Sequence, residues 1–135
     1  MDQIDRILSA PPFNLDGAGR DWVRSTLAGM DRAAKVRQLF VHICFGTGPE
    51  VVERMTALAP AGITKFFGPD AGAELDTLDA LRGAAAIPYL VSADLEGSRM
   101  SPPFGTEVPN PLALAAVDDV QASTTIARIM AEEAR

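Results

Sequence analysis

The chain has 135 residues, of which 47% are hydrophobic and 22% charged, a composition typical of soluble globular proteins and not of disordered chains. Its net charge of -6, without a lysine- or arginine-rich cluster, argues against a nucleic-acid partner. With one cysteine and one histidine, neither an internal disulfide nor a metal site rich in these residues is possible, and we expect no metal and no cofactor. No apolar run is long enough for a membrane helix, and the acidic N-terminus is followed by no signal core. These features predict a cytoplasmic chain without a membrane partner.

The N-terminal part of the chain is predicted to be helical with an irregular beginning. Residues 1–19 combine a weak helical pattern with a run rich in proline and glycine, which is typical of a tail or loop. The apolar spacing over 20–30 predicts a helix. Asp31 is a suitable N-cap for a second, short helix over 32–38.

Three short apolar runs alternate with helical patterns in the centre of the chain. We predict parallel strands near 39–45, 63–67 and 87–93, the first of them fully buried, and helices over 50–59 and 74–86. Strands that alternate with helices at even spacing are typical of βαβ units. The predicted fold class is therefore α/β. Because a complete (β/α)8 TIM barrel takes about 250 residues, the chain has room for the first three βα units of one.

The C-terminal part predicts a long loop over 96–111 and a last helix that begins at Asp118 or Asp119 and runs to Arg135. The residues of this helix that we expect to face inward are Val120, Ile126, Ile129 and Met130. A three-stranded parallel sheet has two open edges, which proteins rarely expose. We therefore expect 20–135 to be part of a larger barrel domain, incomplete at its C-terminus. The remainder of the barrel or a second copy would complete it.

Three features in or next to the first strand have structural explanations that we favour. His42 and Cys44 lie in an apolar strand, where a lone histidine is more often a core residue than a catalyst and a lone cysteine acts as a small hydrophobe. The turn Gly46-Thr47-Gly48-Pro49-Glu50 could cradle a phosphate. It lacks the third glycine of a dinucleotide fingerprint, and Glu50 brings negative charge to the helix N-terminus. A tight strand-to-helix turn is the favoured interpretation.

The acidic residues after the third strand are the main candidates for a site. Asp94 stands at the C-terminal end of that strand, where parallel α/β barrels carry their active sites. A carboxylate there can accept hydrogen bonds from two sugar hydroxyls at once. Glu96 follows two residues later, and Arg99 could pair with either acid. The alternative is a structural acid–arginine pair that organises the loop, and the spacing leaves both interpretations open.

Several segments carry a family resemblance. The run Asp94-Leu-Glu-Gly-Ser-Arg99-Met is similar to an Asp-x-Glu-Gly-Gly-Arg-Val signature, and Lys35-Val-Arg-Gln-Leu-Phe-Val41 to a Lys-Ile-Gly-Gln-Leu-Phe segment before a first strand. Residues 104–116, FGTEVPNPLALAA, are similar to Gly-Thr-x-Phe-Pro-Ser-x-Met-Ala-Leu-Gly-Ala, and 127–135 end in a Glu-Ala-Arg pattern. In this order and at these distances the segments resemble the family 3 glycoside hydrolases, in the branch of the β-N-acetylhexosaminidases. The resemblance covers 28–135.

The resemblance implies a (β/α)8 barrel that hydrolyses β-linked N-acetylglucosamine or glucose units with retention, by an aspartate nucleophile and a separate acid/base. By resemblance, Asp94 hydrogen-bonds sugar hydroxyls in the subsite next to the cleaved bond. It is a substrate-binding residue and not the nucleophile. Glu96 and Arg99 then support its loop, and a carbohydrate is the expected partner.

The chain departs from the family pattern at informative positions. Ser98 replaces the second glycine of the signature, and Pro102 stands where the branch often has another sugar-contacting arginine. The family's Lys-His-Phe-Pro-Gly-His-Gly segment and the strand that bears the nucleophile are not found in the sequence. We therefore assign no catalytic residue and expect the isolated chain to be inactive. The alternatives are a non-catalytic module for sugar binding or subunit interaction, and an unrelated small α/β protein with a flavodoxin-like strand order.

Overall fold

The computed structural model describes residues 2–135, and the chain divides into two compact units after Val36. The elements are α1 Gln3–Ser9, α2 Gly17–Gly29, α3 Arg32–Arg37, β1 Val41–Phe45, α4 Pro49–Leu58, β2 Gly62–Phe66, α5 Ala71–Ala84, β3 Leu90–Ser92, α6 Pro111–Val117 and α7 Val120–Glu133. In residues 2–135 we find no helix that is both long and apolar enough to cross a bilayer.

The N-terminal unit contains α1 and α2. Asp2 and Asp16 cap the first turns of these helices through their carboxylates. Arg24 on α2 forms ion pairs with Asp2 and Asp5, which joins the two helices. The predicted end of the tail, residue 19, falls inside α2. The extent of the domain predicted over 20–135 stays a prediction.

The three strands form one parallel sheet in the order β1-β2-β3. Val41 pairs with Gly62 and Phe45 with Phe66, while Gly62 also pairs with Leu90 on the other side. Because the strands are parallel, their C-terminal ends and the loops that follow lie at the same edge of the sheet. The predicted α/β class with parallel strands is confirmed.

Helices α4 and α5 form the hydrophobic core with one face of the sheet. The core residues are Cys44, Val51, Met55, Ile63 and Leu81, with Val52, Leu78 and Tyr89 packed against them. The predicted core position of Cys44 is confirmed. Two leucines of these helices lie outside the core, because the side chain of Leu58 is 39% exposed and that of Leu75 is 63% exposed.

The opposite face of the sheet is open. Val41, Ile43 and Phe45 point to this face and are exposed, whereas Cys44, between them, is buried. The prediction of a fully buried first strand is therefore wrong, because helices cover only one side and burial alternates along β1. On the open face the rings of Phe45 and Phe66 stack with centroids 4.8 Å apart.

Several element boundaries differ from the predicted ones. α5 begins at Ala71 and not at Glu74, since Asp70 caps it by accepting a hydrogen bond from the amide of Ala73. β3 is shorter than predicted, Leu90–Ser92 instead of 87–93. Helix α6 was not predicted from the sequence. Asn110 caps it and Pro111 is its first residue, which is a favourable position for proline.

The last helix, α7, starts close to where we predicted. Asp119 is its N-cap and accepts hydrogen bonds from the amides of Gln121 and Ala122. The predicted inward residues Ile126, Ile129 and Met130 are partly buried. Val120 is 82% exposed, and its predicted inward orientation is wrong.

Candidate functional site

The candidate site lies where the chain leaves β3. The strand ends at Ser92, and Asp94 follows two residues later, which is the spacing at which side chains along a strand return to the same face. Both Asp94 and Glu96 are exposed. Because β3 is parallel to β1 and β2, Asp94 is at the edge of the sheet that also carries the loops after those two strands.

Backbone contacts hold the loop after Asp94. The amide of Glu96 donates to the carbonyl of Met100 (2.8 Å), and the amide of Met100 donates to Gly97 (3.0 Å). Gly97 is buried with φ +84°, and a Cβ atom on it would lie 2.2 Å from the carbonyl oxygen of Pro109. This position therefore requires glycine, both for its φ angle and for the close approach of a second backbone segment.

The segment 104–109 is bound to the loop and to α7. The amide of Ser98 donates to the carbonyl of Val108 at 2.8 Å, which ties the loop to this segment. The backbone amide of Thr106 donates to both carboxylate oxygens of Glu133 at 2.8 and 3.1 Å, and its hydroxyl bonds the same carboxylate. Three of the segments that carry the family resemblance are thus in direct contact, and sequence spacing alone did not reveal this.

The predicted pairing of Arg99 is not formed. Within residues 2–135, no ion pair joins Arg99 to Asp94 or Glu96. The loop is organised instead by Gly97 and the backbone bonds of its neighbours. The role of Asp94 in substrate binding and the supporting roles of Glu96 and Arg99 stay predictions.

The chemistry available at Asp94 is that of a free carboxylate. An exposed carboxylate on an anchored loop can accept two hydrogen bonds from neighbouring hydroxyls without first breaking a bond to the protein. In the part of the chain that the structure describes, no group of three histidine, cysteine or acidic side chains is arranged to hold a metal ion.

The glycine turn after β1 has the structural role that we favoured. Gly46 and Gly48 have φ angles of +79° and +90°. The amide of Gly48 donates to the Thr77 hydroxyl at 2.9 Å, and Glu50 lies in the first turn of α4. The hydrogen-bond donor of this amide is therefore already used within the protein. His42, which we expected in the core, is only partly buried.

A buried ion pair that was not predicted lies at the same edge of the sheet. The ammonium of Lys65 on β2 lies 2.6 Å from a carboxylate oxygen of Glu74 on α5, and neither side chain is more than 1% exposed. The pair could have been suspected from the lysine inside the strand pattern Gly62-Ile-Thr-Lys-Phe66, because a lysine on a covered face of a sheet requires a partner for its charge.

Cys44 is expected to react slowly with thiol reagents in the folded chain. Burial raises the pKa of its thiol and outweighs the opposing effect of the nearby charges of Lys65 and Arg54. Because the pKa of the thiol is higher in the folded chain than in the unfolded chain, its contribution to the free energy of unfolding is complete below the unfolded pKa. This contribution is lost as the pH rises through the folded pKa. The rate of alkylation of Cys44 at pH 8, measured with and without urea, tests the expected slow reaction. Equal rates in both conditions would contradict it.

Comparisons with known proteins agree with this geometry. No family model matches the chain. The chain is 34% identical over 129 residues to a beta-N-acetylglucosaminidase/beta-glucosidase of Cellulomonas fimi, which covers 95% of this chain and 23% of that protein. Among solved structures it is similar to beta-glucoside phosphorylase BglX bound to 2FGlc, with a TM-score of 0.71 and 28% identity. That match covers 87% of this chain and 22% of the phosphorylase.

The chain therefore spans less than a quarter of the length of each of these relatives. Within that span, the two matches agree with the sequence motifs and with the parallel α/β sheet. The motifs and both matches together are consistent with an N-terminal fragment of a glycoside hydrolase of family 3.

Proposed function

We propose that the chain is part of a retaining glycoside hydrolase of the β-N-acetylhexosaminidase type, acting on β-linked N-acetylglucosamine or glucose units, and that it contributes sugar binding. The observation that supports this most is the position of Asp94, exposed directly after β3 and followed by a loop held by backbone bonds. The printed names of the relatives, one a glucosaminidase/glucosidase and one a glucoside phosphorylase, are consistent with a β-linked sugar.

In this proposal Asp94 binds and does not react. Its carboxylate accepts hydrogen bonds from two neighbouring sugar hydroxyls and so fixes the ring next to the bond to be cleaved. Retention requires a nucleophile and an acid/base, and no residue of this chain is assigned to either role. The isolated chain therefore binds sugar without releasing nitrophenol from an aryl β-N-acetylglucosaminide.

We further propose that the sheet is the first part of a (β/α)8 barrel. The open face carries the apolar side chains of Val41, Ile43, Phe45 and Leu90. A parallel sheet is normally covered on both faces, and inside a barrel such side chains form the packed interior. In a barrel, five further βα units from its remainder would cover this face and close the structure, whereas a second copy would cover the face with its own three-stranded sheet.

A second candidate function is a non-catalytic module for sugar binding or subunit interaction. The same open face favours it, because large exposed apolar patches mark interaction surfaces. The two candidates differ in what they require from a partner. The hydrolase needs the segments that carry the nucleophile and the acid/base, whereas the module needs only a surface that covers the sheet.

The substitution Asp94→Asn is expected to weaken binding of N-acetylglucosamine at least about 10-fold, since hydrogen bonds to a charged group contribute about 1.5–3 kcal/mol each. Isothermal titration calorimetry or saturation-transfer NMR on the 135-residue chain measures the change. Asp76→Asn is the matched control, because Asp76 is an exposed aspartate on α5. Unchanged affinity in Asp94→Asn, or an equal loss in the control, would refute the assignment.

A further inference from the structure

A buried polar network links α5 to the loops at the C-terminal edge of the sheet. Lys65, besides its ion pair with Glu74, donates to the carbonyl oxygens of Gly46 (2.7 Å) and Phe66 (3.3 Å). The other oxygen of Glu74 accepts from the amide of Gly68 at 2.6 Å. One buried ion pair thus holds the backbone of both loops, the one after β1 and the one after β2.

A second residue of α5 holds the same region. Thr77 is buried, and its hydroxyl donates to the carbonyl of Ala73 at 2.7 Å while accepting from the amide of Gly48 at 2.9 Å. Glu74 and Thr77 lie three residues apart, on one side of the helix. The first two turns of α5 therefore bind backbone groups of the two loops that share an edge with Asp94.

We propose that Lys65, Glu74 and Thr77 are positioning residues that fix the loops after β1 and β2 beside Asp94, and so shape the wall of the sugar site. The inference rests on the proposed function. A buried ion pair is weak evidence for stability, because the cost of removing both charges from water offsets much of their attraction, and apolar replacements of similar volume are often neutral. Here each charged group also binds loop backbone, which an apolar pair cannot do.

The test separates positioning from stability by replacing the whole pair. In Lys65→Met/Glu74→Leu the core stays filled, but the carbonyl of Gly46 and the amide of Gly68 lose their partners. We expect the urea midpoint to change little, the Gly68 amide to exchange at least 10-fold faster, and the affinity for N-acetylglucosamine to fall at least 5-fold. The control Asp79→Leu/Arg82→Met removes an exposed ion pair from the same helix. It should leave the urea midpoint, the exchange rate of the Gly68 amide and the sugar affinity unchanged.

A milder variant covers the case in which the double replacement fails to fold. Thr77→Val keeps the shape of the side chain and removes the acceptor for the Gly48 amide. Faster exchange at Gly48 together with weaker sugar binding supports the proposal, and unchanged exchange at Gly48 overturns it.

The two proposals fail in different ways. Loop amides that exchange faster while the sugar affinity stays the same refute positioning and leave sugar binding intact. A wild-type chain that binds no N-acetylglucosamine refutes the proposed function. Exchange at Gly48 and Gly68 then decides the role of the network: faster exchange in the variants supports loop fixation, and equal exchange refutes it.

Discussion

Leu81→Ala is expected to lower the free energy of unfolding by about 2–5 kcal/mol. Leu81 is 1% exposed and lies in the core that α4 and α5 form with the sheet. Truncation removes its apolar contacts and leaves a cavity that the surrounding side chains fill only in part. The effect should be large relative to the total stability, because this is a small core of few residues. Urea denaturation followed by circular dichroism measures it.

Leu75→Ala is the matched control for this prediction. Leu75 lies on the same helix and is 63% exposed, so the same truncation removes few contacts. We expect a change within about 0.5 kcal/mol. Equal losses at Leu81 and Leu75 would show that α5 does not pack on the sheet as described.

Gly97→Ala is expected to detach the loop that follows Asp94. The backbone of Gly97 has a φ of +84°, which costs a residue with a Cβ atom about 1–2 kcal/mol. The new Cβ would also meet the carbonyl oxygen of Pro109 at 2.2 Å, and that oxygen belongs to the backbone. Either the loop or the segment around Pro109 has to move, which breaks the bond from the amide of Ser98 to Val108.

Limited proteolysis and sugar titration measure this outcome together. We expect faster cleavage within 97–108 and weaker binding of N-acetylglucosamine in Gly97→Ala. The control is Gly83→Ala, since a Cβ on Gly83 meets nothing within 4 Å and the residue is helical. This control should raise stability by up to about 1 kcal/mol. A Gly97→Ala chain with wild-type proteolysis and affinity would show that the close approach is not a constraint on the loop.

The buried pair Lys65–Glu74 shows why the site was only partly predictable. Lys65 is part of a predicted strand and Glu74 was placed at the start of a predicted helix, but nothing in their spacing says that they meet. Glu74 lies in the first turn of α5, and its carboxylate meets Lys65 because that side of the helix packs on the sheet. Helical periodicity says which residues share a face, but not which strand residue this face contacts.

The contact between Thr106 and Glu133 is of the same kind. The two residues belong to segments that resembled one family, yet the resemblance did not state that they touch. Their contact requires α6 and α7 to bring the end of the chain back to the loop after β3. Long-range contacts of this kind depend on the packing of whole elements, which local patterns do not encode.

The burial of the sheet was predictable on one face only. The apolar run of β1 is the pattern of a strand covered on both sides, and it predicted complete burial. In the structure Cys44 is buried and Ile43 is exposed, because helices cover one face. The composition of β1 is therefore consistent with a larger domain, and the exposed residues are the ones that the remainder of a barrel would cover in our proposal.

By itself, the sequence determined the α/β class, the parallel strands, the cap at Asp31, a second cap at Asp118 or Asp119, and the position of Asp94 after the third strand. These follow from local periodicity, from capping and from the direction of the chain, which short segments specify. Only the tertiary structure decided that Arg99 pairs with neither acid, that Gly97 packs against Pro109, and that Lys65 and Glu74 hold two loops. The physical reason is that these interactions join residues distant in sequence, and their geometry exists only once the helices have packed on the sheet.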